Sequence, residues 1–336
     1  MLRVLVVDDS SFVRKAVRRV LDATPDLKVV AEAATGAEAL SAVARLRVDV
    51  VTLDVQLPDV SGLVVLRQIR SLRPDLPVLM LSVRTQQGAA ETVEALTAGA
   101  VDFVDKNRFS SLDLAQLGGE LIAKIRAVAR SALSAPTPAL PVTPDPSLDL
   151  TQVRLCVVGA STGGPAAVQA VLQAGRPDLP FPIVVAQHMP AGFTTAFAAR
   201  LDSLCAIRVS ELQKGQTLEN GRAYIVPGDS HARVGAKLTA ELLDGNAAGP
   251  YVPSVDELFL SAAQLKQRCL AILLTGMGRD GARGLLRIRE AGGVTVGQDE
   301  ATCVVYGMPR AAKEVGAVQR ELPLPSICNL LRAWPP

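Results

Sequence analysis

The sequence predicts an α/β protein made of two doubly wound, mostly parallel-sheet domains, the second carrying an antiparallel hairpin insert. Three observations point there. Short apolar runs alternate with amphipathic stretches through residues 1–130, the pattern of successive βα units. Five prolines between Pro136 and Pro146 then interrupt the chain. From residue 151 a second alternation of buried strands and helices begins. At 336 residues the chain has the length of two ordinary domains.

The elements follow in order. RVLVV (3–7) is a continuous apolar run, as expected of a strand covered on both faces. Val13, Ala16, Val17, Val20 and Leu21 then recur on one helix face. LKVVAEA (27–33), VDVVTLD (48–54), PVLMLS (77–82) and VDFVDK (101–106) read as four more strands, with helices starting near Gly36, Gly62 and Gly88. Five βα units make an open parallel sheet with helices on both faces. Residues 131–150, SALSAPTPALPVTPDPSLDL, hold too much proline for a helix or an inner strand and read as a semi-extended linker. Residues 151–336 open a second α/β pattern with RLCVVG (154–159), PIVVAQ (182–187) and LAILLT (270–275) as buried parallel strands. AYIVPGD (223–229), HARVG (231–235) and KLTAELLDG (237–245) are shorter, carry turn signals, and are assigned together to the antiparallel insert.

Composition excludes several classes. Apolar residues make up 49% and charged ones 20%, with 35 Lys+Arg against 33 Asp+Glu, so the chain is neither a basic nucleic-acid coat nor an acidic disordered one. Aromatics at 3% are too few for a base-stacking surface, and no nucleic-acid partner is expected. No apolar run approaches the ~20 residues of a membrane helix, so no membrane insertion is expected. The apolar start of MLRVLVVDDSS ends in two aspartates, unlike a signal peptide, and the reading is cytoplasmic. The five cysteines include no CxxC pair and are expected to be buried small hydrophobes.

Strands of an open parallel sheet end at one edge, where ligands bind. In the first domain Asp8 and Asp9 follow strand one, Asp54 ends strand three, Ser82 ends strand four and Lys106 follows strand five. Converging carboxylates are tolerated around a hard cation, and Mg²⁺ takes such oxygen ligands. A carboxylate held there can attack a phosphoryl group while metal and lysine neutralise charge. Taken alone, Asp9 could simply cap the following helix. As a set in strand order, these residues make the first domain resemble the receiver domain of two-component response regulators, a flavodoxin-like fold, over residues 1–126. The resemblance implies that Asp54 is the phosphoacceptor, that Asp8, Asp9 and Asp54 hold Mg²⁺, and that Ser82 and Lys106 contact the phosphoryl group. Receivers usually carry proline after the lysine; here Asn107 stands there.

In the second domain LCVVGASTGGPAAVQAVL runs from strand through Gly-rich turn to helix, with Ser161 in the turn. Such a turn can cradle a phosphate or expose a nucleophile beside free helix N–H groups. It is not GxGxxG and lacks the lysine of a P-loop. What else reaches that edge separates the two readings. His188 follows the next strand in IVVAQHMPAGF, and Asp280 follows a later one in LLTGMGRDGARG. Serine, histidine and aspartate at three strand ends are placed for acyl transfer: the hydroxyl attacks, the imidazole takes its proton, and the carboxylate orients the ring. Asp280 could also be only a helix cap. His231, in PGDSH, is the rival base, but it lies between short antiparallel strands instead of at a parallel strand end.

GASTGG, QHMPAGF, PGDSH, PSVDELF, TGMGRDGA and QDEATCVVYGMPRAA together resemble the catalytic domain of the chemotaxis protein-glutamate methylesterases, over residues 153 to about 320. The resemblance implies hydrolysis of glutamate γ-methyl esters on chemoreceptor cytoplasmic helices, releasing methanol, and deamidation of selected receptor glutamines. Ser161 would be nucleophile, His188 base and Asp280 orienting acid, with backbone N–H groups of Thr162 and Met277 as oxyanion donors and no cofactor for the ester chemistry. A histidine kinase would phosphorylate Asp54, and the unphosphorylated receiver would block the active site. The domains expected are a receiver over 1–130, a linker over 131–150 and a methylesterase domain over 151–336.

Overall fold

The N-terminal apolar run becomes an inner strand, β1 (Leu2–Val7), with Val4 to Val7 fully buried. The chain continues through α1 (Ser11–Asp22), β2 (Leu27–Ala33), α2 (Gly36–Arg45), β3 (Val50–Asp54), α3 (Gly62–Leu72), β4 (Val78–Ser82), α4 (Gln86–Thr97), β5 (Asp102–Asp105) and α5 (Leu114–Leu133). The five strands pair in parallel in the order β2-β1-β3-β4-β5. In this computed structural model the described residues are 1–83, 85–106, 114–133, 150–247 and 251–334. The proline-rich stretch from 134 to 149 and Asn107 lie outside them. The chain divides into two units, Met1–Ala135 and Pro136–Pro336. Helix α5 runs three residues past the boundary expected at 130.

Side chains start four of the helices here. Ser10, Thr35, Ser61 and Thr85 each accept a hydrogen bond from an N–H in the first turn of α1, α2, α3 and α4. The α1 cap is thus Ser10, and Asp9 is left for other work.

The second unit contains β6 (Leu155–Ala160), α6 (Gly164–Gln173), β7 (Ile183–Gln187), α7 (Phe193–Leu204), β8 (Arg208–Glu211), β9 (Arg222–Ile225), β10 (Ser230–Val234), β11 (Ala240–Asp244), α8 (Val255–Ala262), β12 (Cys269–Leu273), α9 (Ala282–Glu290), β13 (Val294–Gln298), α10 (Met308–Glu314), β14 (Arg320–Leu322) and α11 (Leu324–Arg332). Seven strands form one parallel sheet in the order β14-β13-β12-β6-β7-β9-β8. The chain moves outward from β6 through β7, then returns to the other side at β12. The topological switch point therefore lies between β6 and β12, where an open α/β sheet offers its binding crevice.

The antiparallel insert is present as β10 paired with β11, but it is smaller than expected. AYIVPGD does not belong to it: Ala223, Tyr224 and Ile225 lie on β9, parallel to both β7 and β8. Four residues leave no periodicity to separate the two, and burial by the main sheet decides. Helix α8 fastens the hairpin to that sheet. Val255, Leu258, Phe259 and Ala262 are fully buried, each large side chain contributing about 1.5–3 kcal/mol of transfer free energy. All five cysteines are unpaired, and only Cys205 is not buried. No helix among the described residues is long and apolar enough to cross a membrane.

Candidate active site

The register of β6 and β7 pairs Ala160 with Gln187. The next residue on each strand is therefore Ser161 beside His188, and the His188 N–H donates to the Ala160 carbonyl at 3.0 Å. Past Ser161 the chain reverses at Gly163, whose φ of +75° suits only glycine. Helix α6 starts there with no side-chain cap; the Gly164 N–H donates to the Ser161 carbonyl at 2.7 Å, and Pro165 has no N–H to give.

Asp280 reaches the same edge from the segment after β12. Its Oδ2 lies 2.8 Å from His188 Nε2. Oδ2 also accepts the Val255 N–H at 2.7 Å, while Oδ1 accepts from Asp256 N at 2.9 Å, Gly281 N at 3.0 Å and Ser254 Oγ at 3.2 Å. Asp280 thus sits on the N-terminus of α8, a helix 25 residues earlier in the chain, as well as at the head of its own. Burial would push its carboxyl up, but the bond to His188, the ring's charge and the Asp256 and Val255 N–H groups together hold it below its ordinary value. Capping α8 and holding His188 are not alternatives for this residue, because the bond to His188 first and the capping bonds after it together lower its carboxyl. With Nε2 engaged by Asp280, Nδ1 is the ring nitrogen without that bond.

Three buried polar residues at strand ends hold this edge together, and sequence reasoning passed over them. Gln187 Nε2 donates to the Ser161 carbonyl at 3.0 Å and to the His188 carbonyl at 3.1 Å. The Thr275 carbonyl accepts the Ser161 N–H at 3.0 Å, and its hydroxyl donates to the Thr162 carbonyl at 2.9 Å. Gln298 Oε1 accepts the Thr275 N–H at 2.8 Å. Each is 1% exposed. A polar residue closing an otherwise apolar strand was the signal for all three.

The N–H of Ser161 is spent on Thr275, which removes it as an oxyanion donor. Gly276 brings the next segment against Ser161, since a Cβ there would come within 2.7 Å of Ser161 Cβ. Among the described residues the Met277 N–H has no acceptor. Tyr251, also passed over, lies face to face with His188, ring centroids 4.8 Å apart and planes 2° from parallel. His231 is not at this edge. It is fully buried on β10, with both ring nitrogens engaged.

In the first unit Asp9, Asp54, Ser82 and Lys106 line one small cavity of about 110 Å³. Lys106 Nζ lies 2.6 Å from Asp54 Oδ2 and 2.8 Å from Asp8 Oδ2. Carboxylate oxygens of Asp8, Asp9 and Asp54 fall within 4.8 Å of one another. Burial pushes Asp54 up to about 6, with the Asp8 charge adding to it and Lys106 opposing. Burial likewise raises Asp8. Three carboxylates against one lysine leave the cavity short of positive charge, which is the donor set a hard divalent ion fits. Ser82 Oγ is turned to α4, 2.5 Å from Thr92 Oγ1.

With both edges described, comparison with known proteins is decisive. Residues 156–331 match the CheB methylesterase family model, and residues 4–116 match the response regulator receiver domain. This chain belongs to the CheB methylesterase family. It is 45% identical over 331 residues to a Rhizobium johnstonii protein named protein-glutamate methylesterase/protein-glutamine glutaminase 1, covering 97% of this chain and 94% of that one. A Pyrococcus horikoshii protein named protein-glutamate methylesterase/protein-glutamine glutaminase is 39% identical over 350 residues, covering 97% and 91%. The crystal structure of the Thermotoga maritima CheB methylesterase catalytic domain aligns with a TM-score of 0.51 at 36% identity, covering 54% of this chain and 98% of that one. Membership in the CheB family accounts for the order of the two units, receiver first.

Proposed function

We propose that this chain hydrolyses glutamate γ-methyl esters on chemoreceptors, deamidates receptor glutamines at the same site, and does so under control of phosphorylation at Asp54. The observation that carries the reading is the 2.8 Å bond between His188 Nε2 and Asp280 beside the Ser161 turn. The Ser161 oxygen adds to the γ-carbonyl carbon as His188 Nδ1 takes its proton. Asp280 steadies the imidazolium so formed. The N–H groups of Thr162 and Met277 receive the developing oxyanion. Collapse expels the methoxy group, which leaves as methanol with the proton from His188; a glutamine substrate loses ammonia instead. Water then attacks the acyl-serine, giving its proton to His188, and breakdown returns that proton to Ser161 and frees the glutamate.

In the receiver, Asp54 is the phosphoacceptor and a histidine kinase the donor. Asp8, Asp9 and Asp54 would hold Mg²⁺, which supplies positive charge to the incoming phosphoryl group. Ser82 and Lys106 contact that group once it is bound. The substrates lie on cytoplasmic receptor helices, so the protein is read as cytoplasmic.

Methanol release from methylated receptor fragments tests the reading, with and without a small-molecule phosphodonor and Mg²⁺. Release should rise ten- to a hundredfold with the donor, which needs only about 1.4–2.7 kcal/mol of differential stabilisation. Ser161→Ala should abolish it, a loss on the order of 10⁶ where serine hydrolases have been tested this way. Release by Ser161→Ala at the wild-type rate would overturn the assignment.

A further inference from the structure

His231 is the second of two histidines in the chain, and its side chain has no contact with solvent. Its surroundings give it a definite task. Nε2 lies 3.0 Å from the Gly245 carbonyl, which can only accept, so Nε2 carries the ring hydrogen. Nδ1 is then a bare acceptor, and it takes the Ser254 N–H at 3.0 Å.

Ser254 is the N-cap of α8. Its hydroxyl donates to Asp280 Oδ1 and accepts the Glu257 N–H at 3.3 Å. The next two N–H groups of the helix also end on Asp280. Three consecutive residues, Ser254 to Asp256, therefore aim three donors at one carboxylate. The peptide at the head of this run is held from behind by the His231 ring. We infer that His231 is a positioning residue for Asp280: it fixes the first turn of α8 and so sets the carboxylate that orients His188. The inference rests on reading Ser161, His188 and Asp280 as the reacting set. It also gives the β10–β11 hairpin, which contributes no residue to the catalytic edge, a part in the chemistry.

The two nitrogens of the ring can be separated by substitution. In His231→Asn an amide oxygen stands near the Nδ1 position and can accept the Ser254 N–H, while the bond to Gly245 is lost. In His231→Gln the longer amide reaches toward Gly245 and the acceptor for Ser254 is lost. Positions that steer a reacting group can cost up to about a hundredfold for displacements of about 1 Å. One step removed, His231→Gln should lower kcat for methanol release about tenfold with KM unchanged, because Asp280 acts on the base and not on bound substrate. His231→Asn should recover most of the wild-type kcat.

The measurement uses the full chain, with Ser161→Ala alongside. Equal kcat in the two His231 variants, or a loss that falls on KM, overturns the positioning role. If Ser161→Ala also retains activity, the reading of the reacting set has failed instead. Should His231→Gln not fold, ¹⁵N imidazole shifts of the wild-type chain decide the matter. A pyridine-like Nδ1 and a pyrrole-like Nε2 are expected, and the reverse tautomer overturns the proposal.

Discussion

The two sheet edges of this molecule each hold a buried aspartate, and the protein treats them in opposite ways. Asp54 faces one lysine, one backbone N–H from Gln56 at 3.3 Å and a second carboxylate, and burial lifts it to about 6. Asp280 takes three backbone N–H groups, a hydroxyl and an imidazole, and is held below its ordinary value in spite of burial. The same architecture therefore yields one carboxylate short of donors and one amply supplied. The difference fits the two tasks proposed for them. A phosphoacceptor has to give an oxygen to incoming phosphorus, and fixed hydrogen bonds to it would have to break. An orienting acid has to remain an anion while the imidazole beside it gains charge.

Helix starts divide the same way. The receiver caps α1, α2, α3 and α4 with Ser or Thr. Helices α6, α7 and α9, which begin beside the catalytic edge, start at glycines without side-chain caps. Their first N–H groups close back on the preceding turn instead: Gly164 on the Ser161 carbonyl, Phe193 on that of Pro190 and Ala282 on that of Arg279.

The comparison can be broken most severely at Asp280. Asp280→Asn keeps the shape but replaces an acceptor with a donor toward the Val255, Asp256 and Gly281 N–H groups or toward His188. Methanol release should fall about 10⁴-fold, as when the orienting acid of a serine protease is amidated. A loss under tenfold would mean that the donors around Asp280 serve the fold alone.

Asp54→Asn should act in the opposite sense, on stability. With its folded value raised from 3.8 to about 6, the native receiver binds a proton that the unfolded chain has already lost between those values. Stability from this group is full below pH 4 and falls as pH rises through 6, by about 3 kcal/mol. In urea unfolding without Mg²⁺, Asp54→Asn should be more stable than wild type by that amount at pH 7.5, and the gap should close near pH 4. A gap of equal size at both pH values would show that charge is not its cause.

The smallest effect concerns Tyr251, whose face lies on the His188 ring. A ring face favours a neighbouring cation by about 0.5–1 kcal/mol at a partly exposed site. Tyr251→Leu should lower kcat/KM about threefold, and Tyr251→Phe should leave it near wild type. Phe behaving like Leu would shift the effect to the hydroxyl.

Much of this was legible in the sequence. The five βα units announce themselves through apolar runs, and Ser161, His188 and Asp280 through their places after such runs. The partners of those residues were not legible. Asp280 meets His188 across 92 positions and Val255 across 25, and nothing local in either segment names the other. The role of His231 was hidden for the same reason: its task is set by Ser254 and Gly245. AYIVPGD misled because its strand is only four residues long, so turn residues around it outweighed its burial.

The tie between the Ser161 N–H and the Thr275 carbonyl has a consequence for the order of events at the ribosome. At about 5–20 residues per second, His188 waits some 5–18 seconds for Asp280 to be synthesised, 92 positions downstream. Gln187 already holds the Ser161 carbonyl, but the Ser161 N–H lacks its Thr275 acceptor until residue 275 has emerged. A nascent chain should therefore finish its receiver, acidic cavity included, well before it can cleave any ester. Messages cut short between the end of the first unit and that point would carry the receiver's acidic cavity without a complete second edge.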